Sequence, residues 1–351
     1  MKTFIKEPIL KKVVIVGPDI KAQGGMGSVL KAYSQFLSPF NYLTTNSRRG
    51  KIAGLFNFGI SLLKLPVLRL RGKRVLHIHY AGLKSWTRKK LVLGFGKILG
   101  YKTIMHCHCD LPFLTKIEGL SDVKGTLRKA NINVLLATQY EKFAKQELDL
   151  PTTAILNNTV CNLPKIESQR TETVTFLFLG VMDGAKGVFE LIEAAKSLKE
   201  IGKKFRIIMA GSGKDETAVK SLVQQYGLND YIELPGWIKG DEKFQKIAQS
   251  HIFVLPSHSE GMPMSIIEAK YYGLPAIVTK TGATTDIIAE GVDGFLVEIG
   301  DVAALADAME KYIDNPGLIQ SHSENSWQSA EKFMPSSVGR NLIELYKSLI
   351  D

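Results

Sequence analysis

The stretch Leu255–Val278 reads LPSHSEGMPMSIIEAKYYGLPAIV. Its apolar opening predicts a strand that ends near Ser257, followed by a loop of small and polar residues. Pro263 stands near a helix start, where a fixed φ and a missing N–H are harmless. The helix carries Glu268, Gly273 closes it, and a second apolar run, PAIVT (275–279), begins another strand. A strand, a loop, a helix and a second apolar strand make one unit of a parallel sheet covered on both faces.

The loop places Glu260 above the first strand, and the helix places Glu268 beyond its first turn. Between them the amides of Gly261, Met262 and Met264, with Pro263 among them, face out of the helix start, which suits a phosphate. A carboxylate accepts two hydrogen bonds from a vicinal diol. A nucleotide sugar fits this pattern, with Glu268 on the ribose hydroxyls, the amides on the diphosphate and Glu260 on the sugar hydroxyls. Two glutamates alone would suit the surface of any helix; the Gly and Pro punctuation around them is what argues for a site.

The alternation extends outward over the whole chain. TVTFLFLG (173–180), FRIIMAG (205–211), YIELPG, HIFVLPS (251–257) and PAIVT read as strands, with helices starting near Gly187, Gly213, Asp241, Pro263 and Asp301. In the first half KKVVIVGP, from Lys11, is a buried strand before the Gly-rich turn QGGMGS (23–28). Further strands are predicted at 41–45, 75–79, 103–107 and 133–137. The fold class is α/β, with two Rossmann-like domains. One spans 1–165, and a C-terminal helix over about 338–351 packs back on it. The other spans 166–337, with the polar stretch CNLPKIESQRTET (161–173) as linker. A cleft between two such domains, at the carboxyl ends of the strands, is the expected ligand site.

The chain has 351 residues and a net charge of +11. Residues 1–170 hold 28 Lys+Arg against 9 Asp+Glu, a balance of +19, while residues 171–351 hold 17 against 25, a balance of −8. No acidic residue occurs between Asp19 and Asp110. Such one-sided charge predicts an anionic partner for the first half, nucleic acid or an anionic membrane surface. Three cysteines are too few for a disulfide framework, which points to a reducing, cytoplasmic compartment, and the N-terminal run does not read as a signal peptide. The apolar segment Ile52–Leu70 contains Lys64, Pro66 and Arg69, so it reads as an interfacial or packed helix and not as a membrane span. Arg48, Arg49, Lys51, Arg71, Lys73 and Arg74 flank it and favour anionic lipid at the inner face of a membrane.

Glu260, seven residues, then Glu268, within SEGMPMSIIEAKYYGLPAIVT, resembles the signature of the retaining "group 1" glycosyltransferases, which have the GT-B fold. FLFLGVMDGAKGVFELIEAA (176–195), IIMAGSG (207–213), IELPGWI (232–238) and TGATTDIIAEGVDGFLVEIGD (281–301) resemble the donor domain of that family. VLHIHYAGLKSWTRKKLVLGFGKILGYKTIMHCH (75–108) resembles the acceptor domain of members that build cell-surface polysaccharides such as capsule, exopolysaccharide or lipopolysaccharide. The resemblance implies metal-independent transfer of a sugar from a nucleotide diphosphate to an acceptor hydroxyl, with UDP the commonest carrier and the anomeric configuration kept. The acceptor would be a sugar or a lipid-linked oligosaccharide. The nucleotide sugar is a co-substrate, and no cofactor is implied.

Residue by residue, Lys186 matches the lysine on the donor diphosphate, with Gly187 and Gly211 at the strand ends beside it. His108 matches the histidine near the transferred sugar. Gly24 and Gly25 match the loop that approaches the donor phosphates, and Ile238, after Trp237, is expected beside the base. Val181 stands where the family often has an arginine. HIH (77–79) and HCHCD (106–110) could be adjacent strand ends that offer metal ligands. Alternation puts Cys107 and Cys109 opposite His106 and His108, so no zinc site is expected. No nucleic-acid reader motif occurs, which leaves nucleic acid unsupported as the partner. An epimerase or phosphorylase of similar fold stays open as an alternative.

Overall fold

The computed structural model describes residues 5–21, 24–47 and 50–350, apart from the side chains of Leu83 and Lys84; Gln23, Arg48 and Arg49 lie outside the described residues. The chain divides into two units. Unit 1 comprises residues 1–162 and 332–351, and unit 2 comprises 163–331, where the sequence suggested breaks at 165 and about 338.

The strands of unit 1 are β1 (Val13–Gly17), β2 (Tyr42–Thr44), β3 (Val75–Tyr80), β4 (Lys102–Cys107), β5 (Ile132–Leu135) and β6 (Thr153–Ile155). They form one parallel sheet in the order β2-β1-β3-β4-β5-β6. Its helices are α1 (Gly25–Phe36), α2 (Lys51–Leu70), α3 (Gly82–Ile98), α4 (Leu111–Glu118), α5 (Leu120–Leu127) and α6 (Thr138–Gln146). The β1 run VVIVG is buried at every position, as a strand covered on both faces must be.

Unit 2 contains β7 (Thr175–Leu179), β8 (Arg206–Ala210), β9 (Ile232–Gly236), β10 (Ile252–Leu255), β11 (Ala276–Thr279) and β12 (Gly294–Val297). The order is β12-β11-β10-β7-β8-β9, all parallel, the doubly wound arrangement of nucleotide-binding sheets. Its helices are α7 (Val188–Glu200), α8 (Glu216–Gln225), α9 (Asp241–Gln249), α10 (Met264–Tyr271), α11 (Thr284–Ile287), α12 (Val302–Asp314) and α13 (Pro316–Ser329).

The last helix, α14 (Pro335–Ile350), returns to unit 1. It packs tightly enough that a Cβ on Gly339 would lie 2.1 Å from Ile5 Cδ1. Tyr346, fully buried, puts its hydroxyl 2.8 Å from His77 Nδ1 on β3. Two strands, β6 and β12, were not expected from the sequence. Both are short strands at a sheet edge, with half-exposed residues that weaken the apolar signal.

Candidate active site

In the unit 2 sheet the direction of winding reverses between β7 and β10, and a crevice outside the carboxyl ends of two such strands is where open α/β sheets bind ligands. The loops leaving those two strands carry the expected residues. After β7, Asp183 Oδ1 accepts the Ala185 amide and starts a single 3₁₀ turn, Gly184–Lys186. Gly187 follows with φ +72°, and a Cβ there would fall 2.0 Å from Pro256 O, so only glycine lets the β7 and β10 loops touch. That contact delivers Lys186 to Glu260, with Nζ donating to Oε1 at 2.7 Å. Ser257 Oγ donates to the same oxygen at 2.7 Å. Lys186 is partly exposed and Glu260 nearly buried, with side chains at 28% and 10% exposure, so the pair stands at the surface of the unit rather than in its core.

The backbone of Glu260 is clasped from behind. Gly282 (φ +55°) lies so close that a Cβ would meet Glu260 O at 1.8 Å, and the Ala283 amide donates to Gly261 O at 2.8 Å. Gly211, at the end of β8, approaches Gly180 O equally closely and draws the β7 and β8 ends together. Gly261, Met262 and Pro263 lead into α10. This helix begins at Met264 with no capping side-chain hydrogen bond from Pro263 and no acidic residue in its first turn, so its own residues put no counter-charge at its positive dipole end. Glu268 lies one turn further on and holds Lys243 of α9 with both oxygens, each 2.9 Å from Nζ. Ile238 is buried beyond β9, while Trp237 beside it is half exposed. Val181 is also exposed, so its side chain supplies the site with no charge.

Sequence reasoning missed Ser257 and Lys243. Ser257 could have been found from its place three residues before Glu260 in the same loop. Lys243 had no local signal, because its partner is 25 residues away. His258 was also missed; its Nε2 lies 2.5 Å from Glu190 Oε1 and braces the loop against α7.

In unit 1 the loop after β1 ends at Gly24, which has φ +116° and precedes α1 with no capping side chain. A Cβ on Gly24 or Gly25 would meet nothing within 4 Å, so the fold requires glycine at Gly24 for its φ and at Gly25 not at all. Among the described residues nothing fills the space beside Gly25.

His108 follows β4, its amide donating to Tyr80 O at 2.8 Å. It does not stand alone. Strands β3 and β4 pair with His79 opposite His106, and period-two alternation puts His77, His79, His106 and His108 on one face. His79 Nδ1 lies 2.8 Å from His108 Nε2, and His77 Nε2 lies 3.1 Å from His106 Nδ1. Burial pushes the imidazoles of His77 and His108 down to about 3 and holds those of His79 and His106 well below the ordinary histidine range. All four are neutral at pH 7. His77, His79 and His106 each offer a ring nitrogen within 4.8 Å of the others, a spacing that could hold a metal ion. Neutral imidazoles are the form that can ligate a metal, and the nearby buried Lys89 disfavours added positive charge at His79. The cluster is better described as a neutral, hydrogen-bonded stack that seats His108. Cys107 Sγ sits 3.8 Å from Cys109 Sγ, and Cys107 is fully buried.

Residues 162–330 match the family model described as glycosyl transferases group 1. The chain is 30% identical over 191 residues to 2-deoxystreptamine N-acetyl-D-glucosaminyltransferase of Niallia circulans, covering 54% of this chain and 48% of that one. It is 25% identical over 279 residues to the capsular polysaccharide biosynthesis glycosyltransferase CapM of Staphylococcus aureus, covering 75% and 68%. The chain spans about half the length of the first curated relatives it matches. Among solved structures, Anabaena Alr3699/HepE in complex with UDP covers 96% of this chain and 100% of its own with TM-score 0.74 and 14% identity, a likeness of fold. The two six-stranded parallel sheets are those of GT-B glycosyltransferases.

Proposed function

We propose, from the premise that residues 162–330 match the group 1 glycosyl transferases, that this chain moves a sugar from a nucleoside diphosphate to an acceptor hydroxyl with retention of anomeric configuration, in cell-surface polysaccharide synthesis. The single observation that carries the reading is the meeting of Lys186 and Glu260 at the carboxyl ends of β7 and β10.

The bond between C1 of the sugar and the diphosphate oxygen breaks, the acceptor oxygen bonds to C1, and the departing oxygen takes the acceptor proton. Negative charge grows on the diphosphate, and Lys186 with the start of α10 meets it. Glu260 holds the sugar hydroxyls and fixes its distance from the acceptor. Glu268 takes the ribose diol in place of Lys243, with the base beside Ile238. Under this reading His108 serves the transferred sugar, and Gly24 and Gly25 serve the donor phosphates. A relative in fold was solved with UDP, which supports uracil as the base. The reaction needs no divalent ion under this reading.

The acceptor is a sugar or a lipid-linked oligosaccharide, and the basic first half docks on anionic lipid at the inner face of a membrane, with roughly 1 kcal/mol per well-placed cation. In the structure, α2 presents an apolar face outward: Ile52, Leu55, Phe56, Leu63, Val67 and Leu70 are exposed at helical spacing, while Phe58 and Leu65 are buried on the opposite face. This is the only helix among the described residues long and apolar enough to cross a membrane. Its flanking charges favour lying on the surface instead.

The test is incubation with nucleotide sugars and polysaccharide fragments in the presence of a chelator. Free nucleoside diphosphate together with an elongated acceptor of unchanged anomeric configuration supports the reading. An epimerised donor or a sugar phosphate would assign the chain to the epimerase or phosphorylase alternative. Flotation with anionic and zwitterionic vesicles tests the membrane, and equal recovery counts against it.

A further inference from the structure

Helix α2 lies beside β2, the outermost strand of the unit 1 sheet, and is tied to it where Ser61 Oγ donates to Thr44 O at 2.6 Å. Between them runs an open groove of about 550 Å³, within the range that takes small ligands. Its helix side is Ile60, Leu63, Val67 and Leu68, with Lys64 and Arg71 among them. Its sheet side is formed by Val14 of β1 and by Tyr42 and Leu43 of β2. The helix wall is open to water at Leu63 and Val67, while Val14 and Leu43 on the sheet side are already buried, so it is the helix wall that gains by being covered with hydrocarbon. Lys64 and Arg71 make no ion pair among the described residues, and no acidic residue occurs from 20 to 109.

We propose that this groove takes one acyl chain of an anionic phospholipid, with Lys64 and Arg71 meeting its phosphate. Three observations select that occupant. The groove is continuous with the outward apolar face of α2, since Leu63 (76% exposed) and Val67 (47% exposed) belong to both. Its two cations complement a negative head. Its floor at Val14 is three residues short of Gly17, roughly 10 Å from the carboxyl edge where Gly24 and His108 stand, so it is a docking site and not a subsite for the acceptor. The proposal rests on the reading that this half meets anionic lipid, and it makes the contact a specific one: a single lipid clipped under α2.

The probe is lysophosphatidylglycerol, titrated below its micelle concentration and followed by native mass spectrometry and calorimetry. The expected result is one saturable molecule per chain, with lysophosphatidylcholine bound at least tenfold more weakly. Val67→Trp, at a half-exposed position where the larger ring projects into the groove, should abolish binding. Lys64→Gln with Arg71→Gln should reduce it at least tenfold and erase the preference for the anionic head. Unchanged thermal melting shows that the variants are folded. Absence of saturable binding, equal binding of the two lipids, or insensitivity to Val67→Trp overturns the proposal. So does a lipid-free dimer that Val67→Trp dissolves, because a second copy of the chain would then be the occupant. Saturable binding with no preference for anionic vesicles in flotation would leave the groove standing and remove the membrane reading, so the two fail separately.

Discussion

Lys186 Nζ donates to Glu260 Oε1 across 2.7 Å, joining two residues 74 positions apart in the chain on the loops that leave β7 and β10. A cation and a carboxylate held together this way neutralise each other until an anion arrives. Donor diphosphate would draw Lys186 toward itself and release Glu260 to the sugar. Glu260→Gln should therefore lower the transfer rate by about 10²–10³-fold, as expected for a group that acts on the reacting centre. Lys186→Met should raise the donor Kd and lower the rate together. Steady-state kinetics with calorimetric donor binding checks both, and a Glu260→Gln variant that turns over at the parent rate removes the role.

The Glu268–Lys243 pair predicts opposite outcomes for its two members. If Glu268 grips the ribose, Glu268→Ala abolishes the rise in melting temperature that a nucleoside diphosphate produces. Lys243→Met leaves Glu268 available and keeps the rise or enlarges it. A thermal-shift series with UDP and GDP distinguishes them; equal losses in the two variants would mean that the pair is structural.

The imidazole stack predicts acid sensitivity of unit 1. A histidine whose folded-state value is pressed below its ordinary one binds fewer protons folded than unfolded. Stability is then complete above about pH 6.5 and declines as the pH falls toward the folded value. For His77 that window runs from about 6.5 down to about 3, with a slope near 1.4 kcal/mol per pH unit. His79, His106 and His108 act in the same direction. Urea midpoints from pH 7.5 to 4.5 should fall steeply, and His77→Gln, which can still hydrogen-bond but cannot titrate, should flatten the slope. A flat profile in the parent chain refutes the neutral stack.

Lys270 and Asp293 form a fully buried ion pair in unit 2, 2.6 Å apart, with side-chain exposures of 0% and 3%. Removing one member strands the other charge away from water. Lys270→Met should cost about 3–5 kcal/mol, and adding Asp293→Asn should return part of it. Urea denaturation of the single and double variants measures the difference. A loss under about 1 kcal/mol would show that water reaches Asp293.

The sequence made legible those features that depend on neighbours in the chain. Apolar runs such as VVIVG in β1 and TFLFL in β7 announced central strands because both of their faces are covered. The loop that holds Glu260 was legible from its glycine and proline, which declare backbone geometry directly. β6 and β12 escaped because an edge strand needs only one partner and few apolar residues. The ion pairs escaped because Lys186 and Lys243 meet their glutamates through loop and helix packing, which local spacing does not encode. The histidines were visible as HIH and HCH, and alternation put each set on one face. Their union into a single stack needed the register that sets His79 opposite His106. Helix α2 was read as interfacial or packed; the structure packs one face and leaves the other exposed.

Unit 2 is one continuous segment, but unit 1 is assembled from both ends of the sequence, with Tyr346 meeting His77 across 269 positions. During synthesis unit 2 can complete its core as soon as residue 331 clears the ribosome, whereas the unit begun first must wait for α14. Until then Ile5, Phe36 and the histidine stack lack their cover, so the nascent chain is most in need of a chaperone in the portion that emerged earliest.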